Sequence, residues 1–451
     1  MKQLMIAAMQ SGSGKTTLTC GLLAALKKRG TAVQAFKCGP DYVDPMFHTR
    51  VLGVPSRNLD LFLQGAEGVR RTVQACCGAE LAILEGAMGF YDGLAGTSDA
   101  SAWQVADTLG TPVVLAVSPK GQSLTLAAQI KGLRDFRQPS HLAGVVLNQC
   151  TAGLYAHLSP IITAETGLPV LGYLPPMDEA RIEGRHLGLL TAEEISDFTA
   201  RYEAIAAQLE QTVNLDALLA LAAPVQQMQT HPEPCAPRCR IAVARDAACS
   251  FYYADTLDAL RSAGAELCFF SPLADAALPE EIGGLYMGGG YPELHVEEFA
   301  NNKKMRAALL AAYESGMPMV LEGGGFLLMQ QTLADPAGQQ FPMAGALPGS
   351  AENAGRLQRF GYVHLTGKTD TLLLHAGEEL PAHEFHYWNS TCNGTALHAQ
   401  KPRSTRGWDC CCADERLYAG FPQLHFGGEL PLAQRFADAA ARWMSEKRKT
   451  N

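Results

Sequence analysis

The fold of the first half of the chain is decided by one stretch, Gln10-Ser11-Gly12-Ser13-Gly14-Lys15-Thr16-Thr17. A short apolar strand, Leu4 to Ala8, precedes it, and a helix with leucines on one face follows from Thr16 to Arg29. Glycines let backbone N–H groups turn toward phosphate oxygens, Lys15 can reach the outer phosphates, and the Thr16 hydroxyl can ligate magnesium. This order of strand, loop and helix predicts a phosphate-binding loop.

The loop differs from the strict pattern at one position, because that pattern has glycine where this chain has Met9. The alternative is a glycine-rich turn without a ligand. If the loop binds a nucleotide, the residues that we expect to contact it are Ser11, Gly12, Ser13, Gly14, Lys15, Thr16, Thr17 and, after a later strand, Asn148.

Acidic and basic side chains follow two further apolar strands. Glu85 comes directly after Leu81 to Leu84, and Lys37, Asp41 and Asp44 follow Ala32 to Phe36. Because ligands of open parallel sheets bind at the carboxyl ends of strands, Glu85 can hold magnesium there together with Thr16. A solvated glutamate and an unremarkable turn are the respective alternatives.

Both halves of the chain alternate short apolar runs with helical periodicity, which predicts α/β folds built on parallel sheets. Between them, a segment rich in proline and glutamine with little apolar periodicity predicts an interdomain linker. We therefore expect one domain over 1–222, a linker over 223–239 and a second domain over 240–447.

Composition favours a compact protein with a small-molecule partner. The chain has 451 residues, of which 47% are apolar, and 36 basic against 45 acidic residues give a net charge of −9. This balance argues against a nucleic-acid or anionic-membrane partner, and we expect the apolar run at the N-terminus, Met1 to Ile6, to be too short for a leader or membrane helix. We expect a cytoplasmic protein whose 13 cysteines are reduced thiols. For Cys410-Cys411-Cys412 we expect a loop, with metal binding as the alternative.

At these residues the sequence resembles the cobyrinic acid a,c-diamide synthases of cobalamin biosynthesis, over essentially its full length. In the first half the matching segments, besides the phosphate loop, are Phe36-Lys37, Gly39-Pro40-Asp41-Tyr42, Ser56-Arg57-Asn58-Leu59-Asp60, Glu85-Gly86, Met88-Gly89, Tyr91-Asp92-Gly93 and Arg185-His186-Leu187-Gly188-Leu189. In the second half they are Phe251-Tyr252-Tyr253, Gly288-Gly289-Gly290-Tyr291-Pro292-Glu293-Leu294-His295, Arg359-Phe360-Gly361-Tyr362 and His383-Glu384-Phe385-His386-Tyr387.

The resemblance implies a dethiobiotin-synthetase-like P-loop domain followed by a flavodoxin-like class I glutamine amidotransferase domain. It implies ATP and Mg²⁺ as cofactors, a corrinoid carboxylate as substrate, and an acyl phosphate that ammonia displaces. Catalytic roles would fall to Lys15, Lys37, Asp41 and Asp44, with the two aspartates positioning metal or ammonia. Corrinoid contacts would fall to Tyr42, Tyr91, Asp92, Arg185 and His186. A homodimer is an expectation by analogy with dethiobiotin-synthetase-like domains.

The second half departs from the family at the two residues that release ammonia from glutamine. Gly323 stands where the family has a nucleophilic cysteine, and Gln423 stands where it has the histidine base. Glycine cannot form a thioester, and an amide cannot exchange a proton near neutral pH as imidazole can. We therefore expect an inactive glutaminase, and ammonia that is free or supplied by a separate protein. Cys249 and Cys268 lie on or near predicted strands well before Gly323, and we expect both to be buried structural thiols. The Gly288-Gly289-Gly290 turn would suit an oxyanion hole.

Other features leave alternatives open. A related substrate would be a nickel-containing or metal-free tetrapyrrole, sirohydrochlorin, in place of cobyrinic acid. A non-catalytic, nucleotide-binding regulatory paralogue is a different class of function, to which Ser118 in place of aspartate and Gln149 in place of arginine give some support. The segment His383 to Tyr387 resembles a metal or acid–base cluster, although the family match implies a structural or corrinoid-contact role.

Overall fold

The computed structural model describes residues 1–179, 192–226 and 236–450. The chain forms two compact units, Met1–His231 and Pro232–Asn451. The division between them falls inside the range 223–239, where the sequence predicts the linker. Arg185 and His186, two of the expected substrate residues, lie outside the described residues.

The first unit alternates strands and helices along the chain. Its elements are β1 (Lys2–Ala8), α1 (Lys15–Lys28), β2 (Val33–Cys38), α2 (Val43–Arg50), β3 (Ser56–Leu59), α3 (Leu61–Ala75), β4 (Leu81–Glu85), α4 (Ala102–Leu109), β5 (Val113–Val117), α5 (Leu124–Phe136), β6 (Leu142–Asn148), α6 (Ala152–Thr166), β7 (Val170–Leu174), α7 (Ala192–Thr212), α8 (Leu215–Ala220) and β8 (Ala223–Pro224).

Seven strands of this unit form a parallel sheet in the order β3-β2-β4-β1-β5-β6-β7, and the short β8 pairs antiparallel with β1. Successive residues of β1 point to opposite faces, so Leu4 and Ile6 pack under α1 and α7 while Met5 and Ala7 pack under α4 and α5. Both faces are therefore covered, which explains why the strands read as continuous apolar runs. Because β1 lies between β4 and β5, the loop after β1 is near the centre of the sheet edge.

The second unit combines a mostly parallel sheet with two smaller ones. Its elements are β9 (Cys239–Ala244), α9 (Ala254–Ser262), β10 (Ala265–Phe270), β11 (Gly284–Met287), α10 (Val296–Asn301), α11 (Lys303–Glu314), β12 (Met319–Glu322), α12 (Gly324–Leu328), β13 (Thr332–Ala334), β14 (Gln340–Pro342), β15 (Ser350–Asn353), β16 (Arg359–Gly367), β17 (Glu379–His386), β18 (Trp388–Ser390), β19 (Leu397–Gln400), β20 (Gly407–Cys410), β21 (Cys412–Asp414), β22 (Leu417–Gly420), β23 (Gln423–Leu424) and α13 (Leu432–Thr450).

The main sheet of this unit has the order β10-β9-β11-β12-β22-β21, parallel except for β21. The other two sheets are β14-β13-β15-β18 and β20-β19-β16-β17-β23. In the second of these, β17 pairs with β23 and brings His383 opposite Gln423. The sequence predicted the parallel strands β9 to β12, but it did not predict these smaller sheets.

Two expectations about cysteines are corrected by the fold. Cys410 and Cys412 lie in strands β20 and β21, with Cys411 between them at a φ of 63°, so this segment is not a loop. Cys268, expected to be a buried thiol, is only partly buried, because β10 is at the edge of its sheet. Cys249 is fully buried as expected.

Within the described part of the chain, no helix has the length and apolar character needed to cross a membrane.

Candidate active site

The phosphate-binding loop joins β1 to α1 in a conformation that depends on glycine. Gly14 has a φ of 85°, in the left-handed region where glycine is favoured. A Cβ atom at this position would lie 1.9 Å from Asn148 Nδ2, which donates a hydrogen bond of 2.9 Å to the Ser13 carbonyl. The expected nucleotide residue Asn148 therefore braces the loop from the end of β6, and the brace needs a glycine at position 14.

The Lys15 side chain contacts the backbone around the loop. Its Nζ atom donates hydrogen bonds to the carbonyl of Met88 at 2.6 Å and to that of Gln10 at 3.3 Å. Burial and the nearby Lys37 cation both lower the pKa of Lys15 from its ordinary value. An anion close to Nζ would oppose both effects, so this site favours a negatively charged ligand.

Glu85, at the end of β4, is the centre of the polar network. Its Oε1 atom accepts hydrogen bonds from Thr16 Oγ1 at 2.5 Å and from Lys37 Nζ at 2.9 Å. Burial opposes the carboxylate charge, but Lys37, His48 and Thr16 together hold the pKa of Glu85 well below its ordinary value. Glu85 is fully buried, so the solvated-glutamate alternative is wrong.

Lys37 is held between carboxylates from three segments. Its Nζ atom lies 2.5 Å from Asp44 Oδ2 on α2, 2.9 Å from Glu85 Oε1 and 3.9 Å from Asp41 Oδ2. Burial opposes its charge, but these three carboxylates raise the pKa of Lys37 well above its ordinary value. The sheet order β2-β4-β1 makes this cluster, because β2 and β4 are neighbours and end at the same edge.

The two aspartates occupy different surroundings. Asp44 is 3% exposed and is committed to Lys37. The side chain of Asp41 is 36% exposed, and its Oδ1 atom accepts hydrogen bonds from the Val43 and Asp44 amides at the start of α2. Asp41 is therefore the more accessible to a ligand, and it also stabilises the first turn of the helix.

Thr16 and Glu85 provide a donor set that suits Mg²⁺. Both contribute hard oxygen atoms, and the two oxygens are 2.5 Å apart at the edge where the phosphate loop ends. Glu85 Oε2 is buried and forms no hydrogen bond. The described residues, those at this edge and the Cys410 to Cys412 run included, contain no group of three or more histidine, cysteine or acidic side chains arranged to hold a metal.

Of the described residues expected to contact the substrate, Tyr91 and Asp92 lie in the loop that follows β4, and Tyr42 lies between β2 and α2. Asp92 Oδ2 accepts a hydrogen bond of 2.9 Å from the Gly89 amide. The Tyr91 hydroxyl donates to the Leu133 carbonyl at 2.7 Å, and its ring packs against Trp103 and Phe136. Tyr42 is 8% exposed at the start of α2.

Sequence reasoning missed one buried residue of the network, His48. Its Nε2 atom lies 3.4 Å from Glu85 Oε2, and its Nδ1 atom lies 3.1 Å from Ser56 Oγ. The only sequence signal is its spacing, because His48 is four residues after Asp44 and therefore on the same face of α2.

In the second unit, the two positions that we expect to differ from the family, Gly323 and Gln423, come together. Gly323 follows β12 with φ 48° and ψ −105°, a backbone conformation of the kind found at a strained strand-to-helix turn. A Cβ atom on Gly323 would lie 3.8 Å from Gln423 Nε2 and 3.6 Å from Gly289 Cα. The turn therefore directs this position toward Gln423, and both distances are ordinary van der Waals contacts that leave room for a Cβ atom.

The residues around this turn are buried and mostly uncharged. Burial raises the pKa of Glu322 to about 8, while its oxygens accept hydrogen bonds from Tyr286 Oη at 3.1 Å and from the Leu424 amide at 3.0 Å. Burial lowers the pKa of His425 to about 3. The Gly288 amide, expected to suit an oxyanion hole, donates to Tyr252 Oη at 2.8 Å.

The segment His383 to Tyr387 contributes largely to packing. His386 stacks on Phe421 with ring centroids 3.7 Å apart, and its Nδ1 atom lies 2.6 Å from the Trp388 carbonyl oxygen. Burial first, and then the Lys401 cation, lower the pKa of His383 to about 4. These contacts favour the structural role for this segment over a metal cluster.

Two models of known protein families match separate parts of the chain. Residues 4–189 match the CobQ/CobB/MinD/ParA nucleotide binding domain, and residues 240–420 match the CobB/CobQ-like glutamine amidotransferase domain.

Relatives match the chain over nearly its whole length. Proteins named cobyrinate a,c-diamide synthase from Salmonella typhimurium and Dehalococcoides mccartyi are 38% and 36% identical to it, covering 97% and 96% of this chain and 98% and 97% of their own. One from Priestia megaterium is 34% identical and covers 99% of both chains. The chain therefore belongs to the cobyrinate a,c-diamide synthase family, a family of ATP-dependent amide-forming ligases.

Proposed function

We propose that this chain uses ATP to amidate the a- and c-carboxylates of cobyrinic acid, with ammonia that is free or delivered by a separate glutaminase. The observation that carries the proposal is the cluster of Lys15, Thr16, Lys37 and Glu85 at one edge of the parallel sheet. The relatives named for this reaction share nearly the full chain. In this proposal residues 1–222 bind ATP and the corrinoid, and 240–447 form the amidotransferase-like domain.

The proposed reaction has two steps. A carboxylate oxygen of the substrate attacks the outer phosphorus of ATP, the bond to ADP breaks, and an acyl phosphate forms. The lone pair of ammonia then attacks the acyl carbon, phosphate leaves with the bonding electrons, and the nitrogen loses a proton. Lys15 and Lys37 stabilise the charge that develops on the transferred group, since catalysis of phosphoryl transfer is mostly electrostatic.

The supporting groups divide by accessibility. Asp44 is buried against Lys37, so we assign it the task of fixing that cation. Asp41, which is partly exposed, is the better candidate to bind ammonia or ammonium. Thr16 and Glu85 would hold Mg²⁺, which supplies positive charge to the phosphate oxygens. The residues that we propose for substrate contact are Tyr42, Tyr91, Asp92, Arg185 and His186.

The ammonia source follows from the turn at Gly323. A thiolate is required to form the glutamyl thioester, and neither Gly323 nor Gln423 can supply the nucleophile or the base. Cys249 is no substitute, because it is fully buried and burial raises the pKa of its thiol well above the ordinary value. Glutamine alone would therefore not support the reaction.

The test is an amidation assay with purified protein, MgATP and cobyrinic acid, in which mass spectrometry counts the amides formed. We expect a,c-diamide with ammonium chloride and none with glutamine. Product from glutamine at the ammonium rate would refute the inactive glutaminase, and no amide from either donor would refute the ligase function. A parallel arm with metal-free or nickel sirohydrochlorin identifies the tetrapyrrole.

A non-catalytic regulatory paralogue is the second candidate. It is favoured by the loss of both glutaminase residues and by Ser118 and Gln149, which depart from the family pattern. It predicts binding of MgATP without any stimulation of hydrolysis by corrinoid acid and ammonium. The same hydrolysis assay separates it from the ligase, which requires that stimulation.

A further inference from the structure

The buried imidazole of His48 has no part in the chemistry proposed so far. His48 lies on α2 and is 0% exposed. Its Nε2 atom is 3.4 Å from Glu85 Oε2, an ion-pair distance, and neither atom forms a hydrogen bond in the described structure. Two buried polar atoms that face only each other indicate a specific contact, since unpaired buried polar groups are costly.

The Ser56 hydroxyl can fix which nitrogen of the His48 ring carries the hydrogen. The Ser56 hydroxyl lies 3.1 Å from Nδ1, on the opposite side of the ring from Glu85. If this hydroxyl donates to Nδ1, the neutral ring carries its hydrogen on Nε2, directed at Glu85 Oε2. Ser56 on β3, His48 on α2 and Glu85 on β4 thus form a continuous chain of polar contacts.

Because His48 contacts Oε2 of Glu85, the other carboxylate oxygen, Oε1, is the one directed at the sheet edge that carries the phosphate-binding loop. Glu85 Oε1 is the atom that accepts from Thr16 and Lys37. One turn before His48, Asp44 binds Lys37 from the same helix face. The face of α2 therefore contacts both members of the Lys37–Glu85 ion pair, one through each side chain.

We propose that His48 is a positioning residue that holds Glu85 Oε2, so that Oε1 stays directed at Thr16 and the end of the phosphate-binding loop. The proposal rests on the proposed function only in taking this edge as the magnesium-nucleotide site. Partners that orient a metal-ligating carboxylate typically contribute about 10- to 100-fold in metal affinity. Without His48 the carboxylate could rotate, and the Thr16–Glu85 pair would be lost.

The experiment compares His48→Phe and His48→Gln with the unmodified protein. Isothermal calorimetry measures ATP binding with and without MgCl₂, and thermal unfolding verifies the fold. We expect His48→Phe to weaken the magnesium-dependent part of ATP binding about 10- to 100-fold. Its affinity for ATP without magnesium should stay within about twofold of that of the unmodified protein. His48→Gln, whose amide N–H can replace Nε2–H, should recover most of the loss. His157→Phe, at an exposed histidine on α6, is the matched control and should bind as the unmodified protein does.

Two results would overturn the proposal. The first is that His48→Phe binds ATP with the same dependence on magnesium as the unmodified protein. The second is that His48→Phe and His48→Gln lose the same amount of ATP affinity whether magnesium is present or not, which would indicate that His48 acts through packing alone. If His48→Phe does not fold, Ser56→Ala decides, because it should weaken only magnesium-dependent binding by severalfold, and an unchanged affinity would refute the relay. Magnesium-dependent binding that follows this pattern in a protein that amidates no corrinoid would refute the proposed function and leave the role of His48 standing.

Discussion

The amide nitrogen of Gln423 lies 3.8 Å from the point that a Cβ atom on Gly323 would occupy. The two residues are a hundred positions apart, and β12 and β23 bring them together at the turn that follows β12. The backbone at Gly323 keeps a φ of 48° although the residue has no side chain to present. The two positions that the resemblance assigns to a nucleophilic cysteine and its histidine base therefore lie side by side in the second unit.

This geometry predicts that glutaminase chemistry can be restored by Gly323→Cys with Gln423→His. Glutamate release from glutamine should become detectable, because the new thiol and imidazole would face each other in a turn that already exists. We also expect the Cys substitution to cost about 1–3 kcal/mol of stability, since a side chain is strained at positive φ. A coupled glutamate assay and chemical denaturation measure the two effects.

The control for that variant is Gly338→Cys with Gln423→His. Gly338 is in the same unit at a φ of 88° with open space around it, so the backbone strain is comparable but the thiol is elsewhere. Equal glutamate release from both variants would show that the position of Gly323 is irrelevant. An absence of release from Gly323→Cys with Gln423→His would show that the remaining pocket no longer binds glutamine.

The raised pKa of the buried Glu322 carboxyl should make the free energy of unfolding depend on pH. Its folded pKa is raised by burial to about 8 from the ordinary 4.5, so between these values the folded state binds a proton that the unfolded state has released. The free energy of unfolding should therefore fall as pH rises through this window, by about 1.4 kcal/mol for each tenfold difference in proton affinity between the folded and unfolded states.

The substitution Glu322→Gln should remove this pH dependence. A glutamine amide can still accept from the Leu424 amide and donate to Tyr286 Oη, so the variant should match the unmodified protein near pH 5 and exceed it above pH 8. Urea denaturation at several pH values measures the difference. Glu314→Gln, an exposed position on α11, is the control and should leave the profile unchanged. Parallel profiles for Glu322→Gln and the unmodified protein would contradict the buried, protonated carboxyl.

Gly14→Ala should abolish tight nucleotide binding. Its methyl group would lie where Asn148 Nδ2 now is, breaking the hydrogen bond to Ser13 and displacing the loop. We expect at least about a tenfold loss of MgATP affinity by calorimetry, because one lost hydrogen bond and a left-handed alanine together cost more than about 1.4 kcal/mol. Gly30→Ala also has a positive φ, 78°, but nothing is close to it, so it should lose stability without losing affinity. Normal affinity in Gly14→Ala would refute the bracing role of Asn148.

The substitution Asp41→Asn distinguishes two roles of Asp41, the negative charge of its carboxylate and its hydrogen bonds to the first turn of α2. The asparagine oxygen can still accept from the Val43 and Asp44 amides, so stability should be nearly unchanged, whereas Asp41→Ala should lose about 1 kcal/mol. If the carboxylate binds ammonia or ammonium, both variants should raise the KM for ammonium in the amidation assay at least about tenfold, while binding MgATP normally. Unchanged turnover in either variant would remove Asp41 from the site.

The sequence by itself was sufficient for the features that depend on neighbours along the chain. Phosphate-loop glycines, a helix that ends before Gly30, and buried strands such as Val113–Val117 follow from local turn chemistry and apolar runs. The expectation that Gly323 and Gln423 replace a cysteine and a histidine also comes from the sequence alone, because a family pattern assigns residues position by position.

Tertiary structure decided which of these residues meet. The sheet order β2-β4-β1 brings Lys37 and Glu85 to one edge beside Thr16, and helix α2 adds His48, whose only local signal is its spacing from Asp44. Likewise, β23 pairs with β17, and Gln423 on β23 lies beside the turn at Gly323. Such contacts join residues that are far apart in the chain. The burial and the neighbouring charges that shift the pKa values of Glu85 and Glu322 also come from distant parts of the chain. They depend on strand order and packing, which periodicity in one sequence does not specify.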